Sequence, residues 1–181
     1  MSEIKELYVI EWMGPYKSLD DICNRKDTAD CCIYLITGRI NYDRVRNIKY
    51  VGITKRLPED RLSDKDHLKK QCEIKEKQFW AGRFSVSSYN NLEKPRNRAR
   101  AELVENLIIR YLSSLPKLKI VNNKKTKKYP EKPIGIISKW QKRYTDDARF
   151  NKPSILRALP DVLLYSDKEF WSAPKMRIST D

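Results

Sequence analysis

Residues 32–54 read Cys-Ile-Tyr-Leu-Ile-Thr-Gly-Arg-Ile-Asn-Tyr-Asp-Arg-Val-Arg-Asn-Ile-Lys-Tyr-Val-Gly-Ile-Thr. The first six residues are mostly apolar and include the β-branched Ile33, Ile36 and Thr37, which predicts a strand over 32–37 closed by Gly38. Residues 39–47 are rich in arginine and asparagine, contain Asp43, and fit a hairpin loop. Residues 48–54 alternate again and predict a returning strand. Gly52 inside that strand points to a close backbone approach or a bulge. Tyr34 and Tyr50 thus fall on two paired strands. Taken singly, each is ordinary sheet material.

Working outward, residues 7–12 predict a strand ended by Gly14-Pro15, and Ser18 is placed to cap a helix. Pro58-Glu59-Asp60 offers a helix start and Ser63 a second cap. One helix from 58 and a break near 63 are both compatible with the pattern. Residues 84–89 alternate and predict a third core strand, with a turn over 90–95. From Arg96 to about Ser113, apolar residues at 101, 104, 107, 108, 111 and 112 predict the clearest helix. A helical segment is expected near 134–144, and Val162 to Tyr165 forms a late apolar stretch.

This order predicts an α+β core over 31–123, a small three-stranded antiparallel sheet flanked by helices. Residues 1–30 form a strand and helix extension. Residues 124–181 form a basic C-terminal extension for DNA or dimer contacts.

Composition narrows the partners. The net charge is +14 over 181 residues. It is uneven: residues 1–30 carry four basic and seven acidic side chains, residues 117–152 twelve basic and three acidic ones. Such a field attracts polyanions, nucleic acid foremost. No run approaches the ~20 apolar residues of a spanning helix, so no membrane partner is expected. The N-terminus lacks the pattern of a signal peptide. The four cysteines, Cys23, Cys31, Cys32 and Cys72, form no Cys-x-x-Cys pair. They read as reduced thiols of a cytoplasmic protein rather than as a disulfide or zinc framework.

Cys32-Ile33-Tyr34, Tyr50-Val51-Gly52, Thr54, Arg61-Leu62 and Val104-Glu105 through Ile109, in this order, resemble the GIY-YIG nuclease family over about half the chain. Cys32 stands where the signature has its first glycine. Arg61 and Asn122 lie further downstream than is usual. Lys65 occupies the position one turn after the arginine, and the only histidine, His67, falls two residues later. On one continuous helix, six residues turn about 240°, so Arg61 and His67 share a face only if the helix breaks near Ser63.

The resemblance implies a metal-dependent DNA endonuclease. Glu105 would hold one Mg²⁺, with Mn²⁺ as a substitute. On the helix, Glu105 is expected at the border of the apolar arc, and Glu102 in water. Arg61 would contact the scissile phosphate, Tyr34 would orient or deprotonate the attacking water, and Tyr50 would bind phosphate or water. His67 is an alternative proton acceptor, and Asn122 would orient backbone or substrate groups. For phosphate contacts the best candidates are Lys124, Lys125, Lys127, Lys128, Lys139, Lys142 and Arg143, with aromatics interleaved at Trp140 and Tyr144.

No zinc finger or helix-turn-helix is recognisable, so the chain is most similar to the restriction endonucleases of the family. These cut double-stranded DNA as symmetric dimers, making a homodimer an expected assembly. A repair or nonspecific nuclease is the alternative within the family. Outside it stand a non-catalytic nucleic-acid-binding protein and a module for an acidic protein partner.

Overall fold

The computed structural model describes residues 3–17, 32–40, 43–53, 73–85, 95–122, 129–142 and 152–175. The elements are β1 (Glu6–Tyr16), β2 (Ile33–Ile40), β3 (Asn47–Ile53), β4 (Ile74–Phe84), α1 (Pro95–Ser114) and β5 (Ile134–Lys142). A single 3-10 turn (Ser154–Leu156), β6 (Val162–Ser166) and β7 (Glu169–Ala173) follow.

The seven strands form one curled, half-barrel sheet in the order β3-β2-β4-β1-β5-β6-β7. Every neighbouring pair is antiparallel except β1 and β5, which run parallel with Tyr8 opposite Ile136 and Trp12 opposite Trp140. The expected α+β core, a small three-stranded antiparallel sheet flanked by helices, is therefore incorrect. The chain is mostly β, with one α-helix among the described residues. The strands β3, β2 and β4 are neighbours, but β4 also pairs with β1 and the sheet goes on for three strands more.

Two strand ends lie later than predicted: β1 runs through Gly14-Pro15 to Tyr16, and β2 through Gly38 to Ile40. Two further local readings fail for identifiable reasons. Residues 134–142 are a strand, not a helix. Ile134, Ile136, Ser138 and Trp140 are buried while Lys139 is exposed, which is a period of two. The third strand of the expected core lies earlier than predicted: β4 spans 74–84 and ends at Phe84. Its first half, Lys75-Glu76-Lys77-Gln78, is charged and pairs with β2 beside a shift of register, so it carries no apolar alternation to read. Residues 86–89 of the expected strand lie outside the described residues. So do the helices expected from Ser18 and Pro58, and Cys23, Cys31 and Cys72.

The sheet buries two faces. On one, Ile10, Trp12, Ile33, Leu35, Ile48, Val51 and Trp80 meet the buried side of α1 (Ala101, Val104, Leu107, Ile108, Ile109, Leu112). On the other, Met13, Tyr16, Tyr34, Ile36, Tyr50, Ile74, Phe79 and Ala81 form a second cluster. Trp12 stacks on Trp140 across the parallel pair at 6.1 Å, and its indole N–H donates to Ser138 Oγ at 3.3 Å. The C-terminal segment is tied down by Lys152. Its ammonium pairs with Asp161 at 2.9 Å and donates to the carbonyls of Leu159 and Pro174. No helix among the described residues is long and apolar enough to cross a membrane.

Candidate functional site around the edge strand β3

β3 is the outermost strand on its side of the sheet, and the groups of interest collect on it. Tyr34 of β2 lies opposite Gly52, and Ile36 opposite Tyr50. Tyr34 and Tyr50 are therefore diagonal neighbours on one face, within reach of aromatic rings. Their rings stack at 5.8 Å with an interplanar angle of 11°. Both are buried, at 1% and 5% exposure. The Tyr34 phenol extends across β3 over Gly52, where a β-carbon would lie 2.5 Å from its Cζ and from its hydroxyl oxygen. The glycine is a close approach, as its place in the strand predicted.

An edge strand leaves backbone groups unpaired. Here the chain that follows α1 returns along β3. The Val121 N–H donates to the Lys49 carbonyl at 2.8 Å. The Asn122 side chain then mimics a strand: its Oδ1 accepts from the Val51 N–H at 3.3 Å, and its Nδ2 donates to the Val51 carbonyl. Asn122 thus holds the residue lying between Tyr50 and Gly52.

Beneath Tyr50 lies a pair that sequence reasoning did not single out. Lys49 is fully buried, and its ammonium meets Asp43 Oδ2 at 2.5 Å and the Lys119 carbonyl at 3.4 Å. Asp43 is fixed by its own turn, accepting from the Ile40 N–H at 3.2 Å. Burial by itself raises the Asp43 carboxyl. The Lys49 hydrogen bond, the Ile40 N–H and the charges of Lys49 and Lys119 outweigh it, and the pKa is held below its ordinary 3.8. The only signal in the sequence was an acid and a base facing each other across a hairpin loop.

Glu105 sits on α1, which packs against β3. It is 2% exposed rather than at the border of the buried arc. The buried helix positions 97, 101, 104, 105, 107, 108, 109 and 112 span roughly 200° at ~100° per residue. Ile109, one turn beyond Glu105, belongs to that face and carries it past the glutamate. Glu105 is engaged in at least one polar or electrostatic contact. Glu102 lies half-exposed and pairs with Arg98 at 2.8 Å. Among the described residues, no group of three or more His, Cys, Asp or Glu side chains is placed to hold a metal ion.

The structure brings Tyr34 of β2, Tyr50 of β3 and Asn122 together around one short stretch of β3, residues 50–52. The tyrosine pair belongs to one core cluster and the apolar side of α1 to the other. Lys139 is exposed on β5, and Lys142 ends that strand. Arg61, His67, Lys124, Lys125, Lys127, Lys128 and Arg143 lie outside the described residues. Cys32, just before β2, is a buried free thiol whose pKa burial pushes up to about 12. No protein-family model, curated protein or solved structure matches the chain.

Proposed function

We propose that the chain is a Mg²⁺-dependent endonuclease of the GIY-YIG type that hydrolyses phosphodiester bonds in duplex DNA, acting as a restriction enzyme. The observation that carries this reading is the Tyr34–Tyr50 stack seated over Gly52 on an edge strand. It sets two phenols side by side, with the Tyr34 hydroxyl lying over the outermost strand. The net charge of +14 supports a polyanionic substrate.

In this mechanism Tyr34 orients the attacking water or takes its proton. A phenol has an ordinary pKa near ~10, so the second role needs a cation beside it. Tyr50 donates to a phosphate oxygen, and Arg61 grips the scissile phosphate through a charge-assisted pair. His67 is the alternative proton acceptor. Asn122 is a positioning residue that fixes Val51 and so the two residues flanking it. Glu105 is the carboxylate that would hold Mg²⁺, an ion that takes one or two carboxylates and fills its remaining positions with water and phosphate oxygens. When bound, it would supply positive charge against the phosphate in the transition state. Lys124, Lys125, Lys127, Lys128, Lys139, Lys142 and Arg143 would neutralise backbone phosphates along the duplex.

The test is incubation of the full chain with plasmid DNA, with and without Mg²⁺. Discrete fragments support restriction, and a smear supports a nonspecific nuclease. Glu105→Ala is expected to abolish cleavage while DNA binding persists.

A second reading, a nucleic-acid-binding protein without catalysis, is favoured by one observation. Glu105 is buried and already engaged by a partner, whereas a metal ligand needs access to a hydrated ion. Salt-sensitive binding with no cutting in Mg²⁺ or Mn²⁺ would establish it.

A further inference from the structure

The N-terminal end of β3 borders a pocket of about 580 Å³ between the start of that strand, the chain leaving α1, and the 3-10 turn. Its size lies within the ~300–1,000 Å³ of small-molecule sites. Three cations line it: Arg46, Lys117 and Arg157. Arg46 is half-exposed and reaches Glu76 only at 3.8 Å. The lining includes no acidic side chain. Apolar walls come from Val45, Leu118 and Ile155, and Val45 is 70% exposed there. One further lining residue, Asn47, has a buried side-chain oxygen with no hydrogen-bond partner among the described residues. A buried acceptor left unmade is costly, and a ligand donor would satisfy it. Lys117 is exposed at the mouth of the pocket.

A planar group between apolar walls, an N–H for an amide oxygen, and an anion for three cations together describe one ligand chemistry. The geometry points to a pocket for a single unpaired nucleotide, its base between Val45, Leu118 and Ile155 and its phosphate on Arg46, Lys117 and Arg157. An exocyclic amine or ring N–H of the base meets Asn47. The nucleotide comes either free or extruded from a strand, as enzymes acting on bases extrude them. The pocket stands on the same edge strand as Tyr50, three residues away, or about 10 Å at ~3.3 Å per residue. The inference rests on the nucleic-acid reading of the function and not on cleavage.

The test uses the full chain in EDTA, so that absence of catalysis leaves it untouched. Fluorescence anisotropy compares a fully paired duplex, the same duplex with one extrahelical adenosine, and one with an abasic residue at that place. The extrahelical adenosine is expected to tighten binding about tenfold over both controls, which is about 1.4 kcal/mol. Lys117→Glu with Arg157→Glu, both exposed, is expected to remove that preference, as is Val45→Glu at the apolar wall. Unfolding curves report that each variant is folded. Competition by dAMP, with inorganic phosphate as control, assigns the free nucleotide as a ligand; competition by the bulged strand alone assigns the extruded one. Equal binding of all three duplexes together with no dAMP binding overturns the proposal. So does a preference that survives the double substitution.

Discussion

The phenol ring of Tyr34 lies across the α-carbon of Gly52 on the neighbouring strand, so that a methyl group at position 52 would stand 2.5 Å from its hydroxyl oxygen. Gly52→Ala must therefore push Tyr34 off the strand. Overpacking of this kind costs about 1–3 kcal/mol. Urea unfolding should show that loss, and Tyr34→Ala should relieve it. A double-mutant cycle without coupling between the two positions would sink the assignment. The same substitution is expected to lower DNA cleavage by moving both stacked rings.

Asn122 is bonded twice to the backbone of Val51. Asn122→Ala leaves an edge-strand N–H and C=O without that partner and should cost about 1–3 kcal/mol. Amide hydrogen exchange at Val51 is the direct readout. Faster exchange there, with the core of α1 still protected, is expected. Unchanged protection at Val51 would refute the pairing.

Asp43 and Lys49 form an enclosed ion pair, with Lys49 fully buried. The Asp43 pKa is lowered in the folded protein. A carboxyl whose folded pKa lies below its unfolded one binds fewer protons when folded. Its stabilisation is thus complete above the ordinary 3.8 and is lost as pH falls through the lowered folded value. Asp43→Asn should flatten that acid limb of the stability curve. At neutral pH it should cost about 3–5 kcal/mol, because it leaves the Lys49 charge buried without its anion. An acid limb below the ordinary 3.8 that is the same in the wild type and in Asp43→Asn would count against the pair.

The Cys32 thiol, pushed up to about 12 by burial, carries almost no thiolate at neutral pH. In a variant with Cys23, Cys31 and Cys72 replaced by serine, Cys32 should react with a disulfide reagent only on global unfolding. Fast labelling of the native protein would show that it is accessible.

Much of the local structure was legible. The helix from Arg96 announced itself through its apolar period, because one face lies in the core and the other outside it. The strands at 7–12, 32–37 and 48–54 announced themselves as short apolar runs, and those of β2 and β3 are buried on both faces. β5 was misread because Ile134, Ile136 and Ile137 crowd a short run, and a helical period can be laid over three isoleucines. The first half of β4 was missed because Lys75 to Gln78 present charges where a pattern would be sought. In the site, the tyrosines were found through strand pairing and Asn122 through order along the chain. Lys49 was passed over because a lysine inside a strand is ordinarily read as solvent-facing, and only the turn that brings Asp43 to it permits its burial.

The sequence by itself determined which segments alternate, where α1 lies, that Gly52 marks a close approach or a bulge, and that the chain carries a net charge of +14. These follow from side-chain period, backbone sterics and net charge, all of which act over short range or over the whole chain at once. Only the tertiary structure decided that β1 pairs with β5 more than a hundred residues away, that seven strands share one sheet, and that Glu105 is inside rather than at its rim. Strand partners are chosen by burial of whole faces and by satisfaction of backbone hydrogen bonds. That choice depends on every other strand and is written in no single stretch of residues.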